Sequence, residues 1–191
     1  MSNRKNSGRH PGRATLVRLF VLAAGLAAMA TLPAPAGAEC VYGDCRDGYG
    51  LFRYPDGGEY QGTFQGGLKQ GQGEETYADG SRYAGRFEAD KENGQGILTR
   101  PDGLTYNGEW RDGGYHGRGI LFFADGSRYE GEFRDNGING QGTMFFRDGE
   151  RYTGEWQDGK QHGRGTMYFP DGTSYSGEFK EGEAVDGPAG D

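Results

Sequence analysis

Several residues in this sequence have types and spacings that could support chemistry. The stretch YHGRGILFFADGSRYEGEF, residues 115–133, combines glycines with aromatic rings, as do loops that cradle phosphates or stack on bases and sugars. His116 and His162 are candidate metal ligands, and Cys40 and Cys45 are candidates for a disulfide or a metal site. A column of aspartates has the ligand type that calcium prefers: Asp56, Asp79, Asp102, Asp125, Asp148 and Asp171. Whether any of these residues meet depends on the elements that carry them.

Those elements come from an internal repeat of 23 residues. Tyrosine, glycine and a second aromatic residue recur at this spacing as Tyr-x-Gly-x-(Phe or Trp), beginning at Tyr60. Full units follow one another without insertion or deletion: 60–82, 83–105, 106–128, 129–151 and 152–174. A half unit precedes them, and another follows from Tyr175. A fixed period of this length predicts an array of small supersecondary units.

Each unit predicts a β-hairpin. The Tyr-x-Gly-x-Phe pattern has the two-residue period of a strand, so Tyr129, Gly131 and Phe133 share one face. The Asp-Gly pair suits a type I turn whose glycine takes the left-handed conformation, which makes a three-residue loop. Phe123 is then expected to pair near Ser127. The predicted fold is all-β: an elongated, single antiparallel β-meander of tandem 23-residue hairpins.

The unit pattern Y-x-G-x-(F/W), a six-residue link, G-x-G and D-G resembles the MORN repeat, over about residues 45–187. The opening CVYGDCRDGYG also resembles the N-terminal half repeat of secreted bacterial members. Local departures from the usual residues are Gln70, Arg100, Ala89-Asp90 and Asp135-Asn136. The resemblance implies an interaction role, because members of the family mediate protein contacts and lipid binding has been attributed to them.

The repeat accounts for most of the candidate chemistry. Its glycines remove side chains so that neighbouring rings can lie across the backbone, and its aspartates suit turns. His116 and His162 lie two units apart, about 19 Å by strand spacing, which is too far to share a metal ion. The sequence has no nucleotide-binding glycine loop and no nucleophile motif. We therefore predict no catalytic residues, no cofactor and no metal.

The two faces of the predicted sheet differ. One carries the repeat's tyrosines and its Phe/Trp and Leu/Met positions, and is expected to be structural. The other carries an aromatic row edged by carboxylates, and we predict that it binds partners: Phe122, Phe145, Tyr168, Glu109, Glu132 and Glu155. Such a row fits a basic or extended polypeptide, or a glycan. The alternative is that Arg128 and Arg151, expected across from the first two rings, cover them with their stems.

The first 38 residues read as a Sec-type secretory signal peptide. Basic residues precede an apolar run at 19–32, and the small residues Ala-Gly-Ala ending at Ala38 form a cleavage site. An uncleaved anchor is the alternative. Removing five of the 21 basic residues and none of the 28 acidic ones leaves a net charge of −12, which weighs against nucleic acid and anionic lipid. In an oxidising compartment, Cys40 and Cys45 are expected to form one disulfide.

The expected organisation is a signal peptide at 1–38, a disulfide-capped half repeat at 39–59, the repeat array at 60–187 and a short tail at 188–191. The expected function is that of a secreted or periplasmic, non-enzymatic scaffold or interaction module. Envelope proteins are the expected partners, with a glycan or peptidoglycan surface or a lipid surface as alternatives. Nucleic acid is not expected, and open edge strands would allow end-to-end self-association.

Overall fold

The computed structural model describes residues 37–185, so the predicted leader up to residue 36 and the tail at 188–191 lie outside the described residues. Residues 37–185 form one antiparallel sheet whose 14 strands lie side by side in sequence order. The strands are β1 (Glu39–Gly43), β2 (Tyr49–Arg53), β3 (Glu59–Gln65), β4 (Leu68–Thr76), β5 (Arg82–Glu88), β6 (Lys91–Thr99), β7 (Thr105–Arg111), β8 (Gly114–Phe122), β9 (Arg128–Arg134), β10 (Gly137–Phe145), β11 (Arg151–Gln157), β12 (Lys160–Tyr168), β13 (Ser174–Lys180) and β14 (Glu183–Ala184). This confirms the predicted all-β meander of hairpins.

The Asp-Gly turns have the predicted geometry. The Phe123 N–H donates to the Ser127 carbonyl at 2.9 Å, and the Gly126 N–H donates back to the Phe123 carbonyl at 3.0 Å. Gly126 has a φ of 93°, which only glycine adopts without strain. The Asp125 carboxylate accepts the Ser127 N–H at 2.8 Å, and this bond holds the three-residue loop closed. The turn sets the register, so the buried positions of both strands of the hairpin share one face.

The connection at the other end of each hairpin is shorter than the six-residue link that the sequence indicated. Only Gly66 and Gly67 join β3 to β4, with φ values of 60° and 83°. The strands continue through the rest of the link, where a bulge on β4 absorbs two extra residues, Gly71 and Gln72. Ala89 and Asp90 take the same left-handed conformation at φ 48° and 69°. This two-residue turn was not recognisable from the sequence, because most of its copies lack a Gly-Gly pair.

The repeat tyrosines pack the sheet without a second layer. The ring of Tyr106 lies across Gly108 of its own strand and Gly119 of the next, where a Cβ would lie 2.7 Å from Cε2 of the ring. Its hydroxyl donates to the Glu109 carbonyl at 2.8 Å. Phe133 of the next unit meets the ring edge-on, with the centroids 5.0 Å apart. Matched tyrosines of all full units are completely buried in this way: Tyr60, Tyr83, Tyr106, Tyr129 and Tyr152.

The first strand replaces the tyrosine with a disulfide. Cys40 pairs with Phe52, in the register position that a repeat tyrosine takes elsewhere in the sheet. It is bonded to Cys45, as expected from the sequence. A Cβ at Gly50 would lie 2.8 Å from the Cys45 Sγ. The disulfide thus occupies the space over Gly50, just as a tyrosine ring occupies the space over the matching glycine in each full unit.

Candidate functional site

A row of alternating rings and guanidinium groups lies on the face opposite the buried tyrosines. Strand pairing places its members side by side across β8 to β12, and we name it the aromatic–arginine row: Phe122, Arg128, Phe145, Arg151 and Tyr168. Phe122 is 42% exposed and Tyr168 37% exposed, while Phe145 is half-buried. Large apolar side chains with this exposure, gathered in one row, are typical of an interaction surface.

The arginines of the row stack on rings. The Arg128 Cζ lies 4.3 Å from the centroid of the Phe145 ring, and the Arg151 Cζ lies 4.1 Å from that of Tyr168. The sequence placed these arginines across from Phe122 and Phe145, and the register agrees. Each guanidinium nevertheless stacks on the ring of the following strand. The faces of Phe145 and Tyr168 are therefore partly covered, as the alternative interpretation anticipated.

Of the two arginines in the row, Arg151 retains hydrogen-bond donors for a partner. Arg128 forms an ion pair with Glu130 at 3.1 Å, but its Nε is buried without a hydrogen-bond partner among the described residues. No carboxylate of residues 37–185 lies within salt-bridge distance of Arg151. A guanidinium held against a ring has its planar fork oriented in advance for a carboxylate. The row therefore combines apolar contact with capacity for an acidic group.

The predicted acidic residues lie on the same face, four residues along the strands from the row. The Glu109 carboxylate accepts the Arg118 backbone N–H at 3.0 Å, and Glu155 accepts that of Arg164 at 3.3 Å. Glu132 lies 3.9 Å from the Arg118 guanidinium. These contacts give the carboxylates a structural role next to the strand bulges. Their part in partner binding stays a prediction.

Within this row of positions, rings occur only in the C-terminal units. In the N-terminal units, the same row across the sheet consists of Arg53, Glu59, Thr76, Arg82 and Thr99. Arg53 contacts Glu59 at 2.9 Å, and Arg82 pairs with Glu74 of the neighbouring row. The arginines in this part of the face are therefore already paired with carboxylates of the same chain. The two-residue period of the strands placed the C-terminal rings on this face, and the register agrees; their part in binding stays a prediction.

A buried polar cluster on the tyrosine face was missed by the sequence analysis. Glu75 is 5% exposed and forms an ion pair with Lys69, whose side chain is 12% exposed. Next to this pair, the Tyr77 hydroxyl donates to the Glu92 carboxylate. Burial raises the pKa of Glu75 from its usual range, although the Lys69 ammonium opposes this change. The cluster was detectable in principle, since Glu75 stands in the column that leucine and methionine hold in later units.

The aspartate and histidine columns take part in the backbone structure. Every aspartate of the turn column accepts the N–H of the residue two positions on: Asp56, Asp79, Asp102, Asp125, Asp148 and Asp171. His116 and His162 lie across from Glu109 and Glu155 on neighbouring strands. Within residues 37–185, no group of three or more His, Cys, Asp or Glu side chains is placed to hold a metal ion. The same residues include no helix long and apolar enough to cross a membrane.

The family model for the MORN repeat matches six consecutive stretches of the chain, at residues 46–59, 60–82, 83–105, 106–128, 129–151 and 152–174. The chain belongs to the MORN repeat family. The MORN repeat is a non-catalytic module that serves interaction. The tyrosine-over-glycine packing and the Asp-Gly turns described above are therefore what this MORN array uses to build its surface.

Solved structures that resemble the MORN array weakly include the two described next, and no curated protein sequence matches the chain. The TCP domain of SAS-4 (dCPAP) of Drosophila Melanogaster, in complex with a proline-rich motif of Ana2 (dSTIL), is 15% identical with a TM-score of 0.39, covering 78% of this chain and 96% of that one. The TCP10 domain of Danio rerio CPAP, in complex with a peptide of Danio rerio STIL, is 15% identical with a TM-score of 0.20, covering 74% and 83%. These values are too low to transfer a partner or a binding mode.

Proposed function

We propose that this MORN protein is a non-enzymatic binding module of the cell envelope, and that its aromatic–arginine row captures an extended segment of a protein partner. The observation that carries the proposal is the row itself. Phe122 and Tyr168 are exposed and Phe145 is half-buried on a face that the repeat does not need for packing, and the three rings occur in consecutive units. Binding surfaces commonly combine aromatic side chains with arginine in this manner.

The stacking geometry favours a polypeptide over a glycan. Sugars bind proteins by lying on the open face of an aromatic ring, and guanidinium groups already cover Phe145 and Tyr168. A polypeptide can instead place apolar side chains against the ring edges and a carboxylate against Arg151. The negative net charge of the chain without its leader also disfavours an anionic lipid surface.

Envelope location is proposed from the leader and the cysteines. Secretion would remove residues 1–38 and place Cys40 and Cys45 in an oxidising compartment, where a disulfide persists. Export in a bacterial host followed by N-terminal sequencing tests this proposal, with Glu39 as the expected first residue. Recovery of the unprocessed chain in the membrane fraction would support the uncleaved anchor instead.

Pull-down from an envelope extract, read by mass spectrometry, tests the binding role. The Phe145→Ser variant is expected to keep the fold, because its side chain is only half-buried and outside the tyrosine core, and to capture the partner at least about tenfold less well. Ile97→Ser is the matched control, since Ile97 is 44% exposed on the same face but lies outside the row.

The alternatives give different results in parallel experiments. Retention on purified sacculi that Phe145→Ser abolishes would favour glycan binding. Co-sedimentation with anionic liposomes that falls at high salt would favour a lipid surface. Equal capture of the same protein by the wild type and Phe145→Ser would remove the row from the proposal.

A further inference from the structure

The N-terminal units contain a cavity on the tyrosine face, opposite the aromatic–arginine row. Its volume is about 470 Å³, within the range of small-molecule sites. The rings of Phe52, Tyr54 and Phe64 form its apolar walls, and Lys69 and Glu75 form its polar part. The cavity combines apolar walls with a few converging polar groups, which is the usual composition of a ligand site.

The ion pair in this cavity is not required by the fold. The later units fill the position of Glu75 with Leu98, Leu121, Met144 and Met167. They fill the position of Lys69 with residues that include Tyr115 and Ile138. A buried ion pair is often no more stable than apolar residues of similar volume. Because the chain itself shows the apolar solution at the same backbone positions, the pair in unit 60–82 points to function.

The surroundings of Lys69 show that the cavity accommodates a cation. The Lys69 Nζ lies 5.0 Å from the ring centroid of Phe87, 5.7 Å from that of Tyr60 and 6.0 Å from that of Tyr54. These distances are in the range of cation–π attraction. An ammonium group at the end of an alkyl chain is thus already held here by rings and one carboxylate.

The charge of the lining exceeds what Lys69 can neutralise. Three carboxylates line the cavity, those of Asp56, Glu75 and Asp90, against the single ammonium of Lys69. Lys69 contacts only one oxygen of Glu75, Oε2. A second cationic group would bring the lining closer to neutrality and would meet the aromatic walls.

We propose that the cavity binds an organic cation, an ammonium or guanidinium group carried on a short alkyl chain. The alkyl part would contact Phe52, Tyr54 and Phe64, and the cationic head would face Glu75 and the acids at the rim. A free amine and the side chain of a lysine or arginine in a partner protein present the same chemistry. The site does not depend on the aromatic–arginine row, because it lies on the other face and in other units.

Calorimetric titration of the purified protein tests this proposal with matched probes. n-Butylguanidinium and n-butylammonium are expected to bind, and the neutral isostere n-butylurea to bind at least about tenfold more weakly. A short peptide with one arginine, against the same peptide with citrulline, distinguishes the sources. Tighter binding of the arginine peptide than of n-butylguanidinium indicates a partner side chain, and the reverse indicates a free amine. No detectable cation binding, or equal binding of n-butylurea, would overturn the proposal.

Variants give effects of opposite sign. Glu75→Gln is expected to weaken n-butylguanidinium binding about tenfold. Lys69→Met removes the internal cation and is expected to strengthen it. The double change Lys69→Tyr with Glu75→Leu installs the residues of unit 106–128 and is expected to abolish binding while keeping the fold. Glu183→Gln, an exposed change on β14, is the control. Unaltered affinity in the double variant would refute the site even if a single variant fails to fold.

Discussion

Units 60–82 and 106–128 share a backbone but fill matched positions on the tyrosine face with different chemistry. The first unit has Lys69, Glu75 and Tyr77, whereas the second has Tyr115, Leu121 and Phe123. The two units also differ on the other face of the sheet. There, Thr76 in the first unit corresponds to the exposed ring of Phe122 in the second. The array therefore has the buried ion pair in its N-terminal part and the aromatic–arginine row in its C-terminal part.

This difference shows which contacts the repeat needs. Tyr60 and Tyr106 are both completely buried across their glycines, and each is met edge-on by an aromatic ring of the next unit. The positions around this arrangement are free to vary, because the backbone register is already set by the turns and the glycines. Specialised surfaces can thus arise in one unit without changing its neighbours.

The largest effect is expected from breaking the ion pair of unit 60–82 on one side. Glu75→Leu leaves the Lys69 ammonium buried without its carboxylate, and we expect the free energy of unfolding to fall by about 3–5 kcal/mol. Adding Lys69→Tyr gives this unit the residues of unit 106–128, and stability is expected to return at least to that of the wild type. Chemical denaturation followed by circular dichroism measures both changes.

The order of these stabilities decides whether the two units are interchangeable. If the double variant is as unstable as Glu75→Leu alone, the surroundings of unit 60–82 require the pair and the comparison fails. Glu183→Gln serves as the control, because this exposed glutamate on β14 is far along the sequence from the cluster.

The next largest effect is expected at alkaline pH, where the N-terminal and C-terminal units of the array should lose different amounts of folding stability. Burial raises the pKa of Tyr60 to about 12, from a usual value near 10. A folded-state pKa above the unfolded one means that the stabilisation is complete below about pH 10 and is lost as the pH rises through 12, by an amount on the order of 2 kcal/mol. The N-terminal end has two more such phenols. Burial first, and then the carboxylates of Glu75 and Glu92, raise the pKa of Tyr54 and Tyr77.

The C-terminal units have phenylalanines, Phe123 and Phe146, at the positions of these two extra phenols. Denaturation measured from pH 9 to pH 12 should therefore show a smaller alkaline loss in the variant Tyr77→Phe than in the wild type. Near-ultraviolet absorbance of tyrosinate gives the ionisation directly. An identical pH slope in both proteins would contradict the assignment of the raised pKa to Tyr77.

The disulfide is expected to have a smaller and local effect. Changing both Cys40 and Cys45 to serine opens a loop with a sequence separation of 5, and loop entropy assigns about 2 kcal/mol to such a closure. Hydrogen exchange should increase in β1 and β2 and remain unchanged in β8 to β12. Increased exchange throughout the sheet would show that the first strand stabilises more than its neighbour.

The two-residue turns should give the smallest effect. Ala89→Gly relieves a left-handed alanine with a φ of 48° and is expected to add about 1 kcal/mol of stability, net of the backbone entropy of glycine. Gly113→Ala, at the corresponding turn of unit 106–128 with a φ of 84°, should lower stability by a similar amount. Thermal unfolding compares the two, and shifts of the same sign would contradict this account of the turns.

The sequence predicted the features that depend on its period. The hairpin and the Phe123–Ser127 pairing follow from alternation and turn chemistry, and the structure has them. It did not predict the two-residue turn at Ala89-Asp90, because neither residue type favours a positive φ strongly enough to reveal it. Nor did it predict the Lys69–Glu75 pair, since both residues lie on β4 and their contact depends on side-chain reach along a strand that is bulged between them.

The edge-on ring contacts have a consequence for the length of the array. Each tyrosine is covered by the next unit, and the covering position alternates between phenylalanine and tryptophan: Phe87, Trp110, Phe133, Trp156 and Phe179. Loss of one whole unit would bring Tyr60 against Trp110 in place of Phe87, which is an equivalent partner. The length of the array can therefore change only in steps of about 9.6 Å, which is two strand spacings. The separation along the sheet between the cavity of the N-terminal units and the aromatic–arginine row can change only by whole steps of this size.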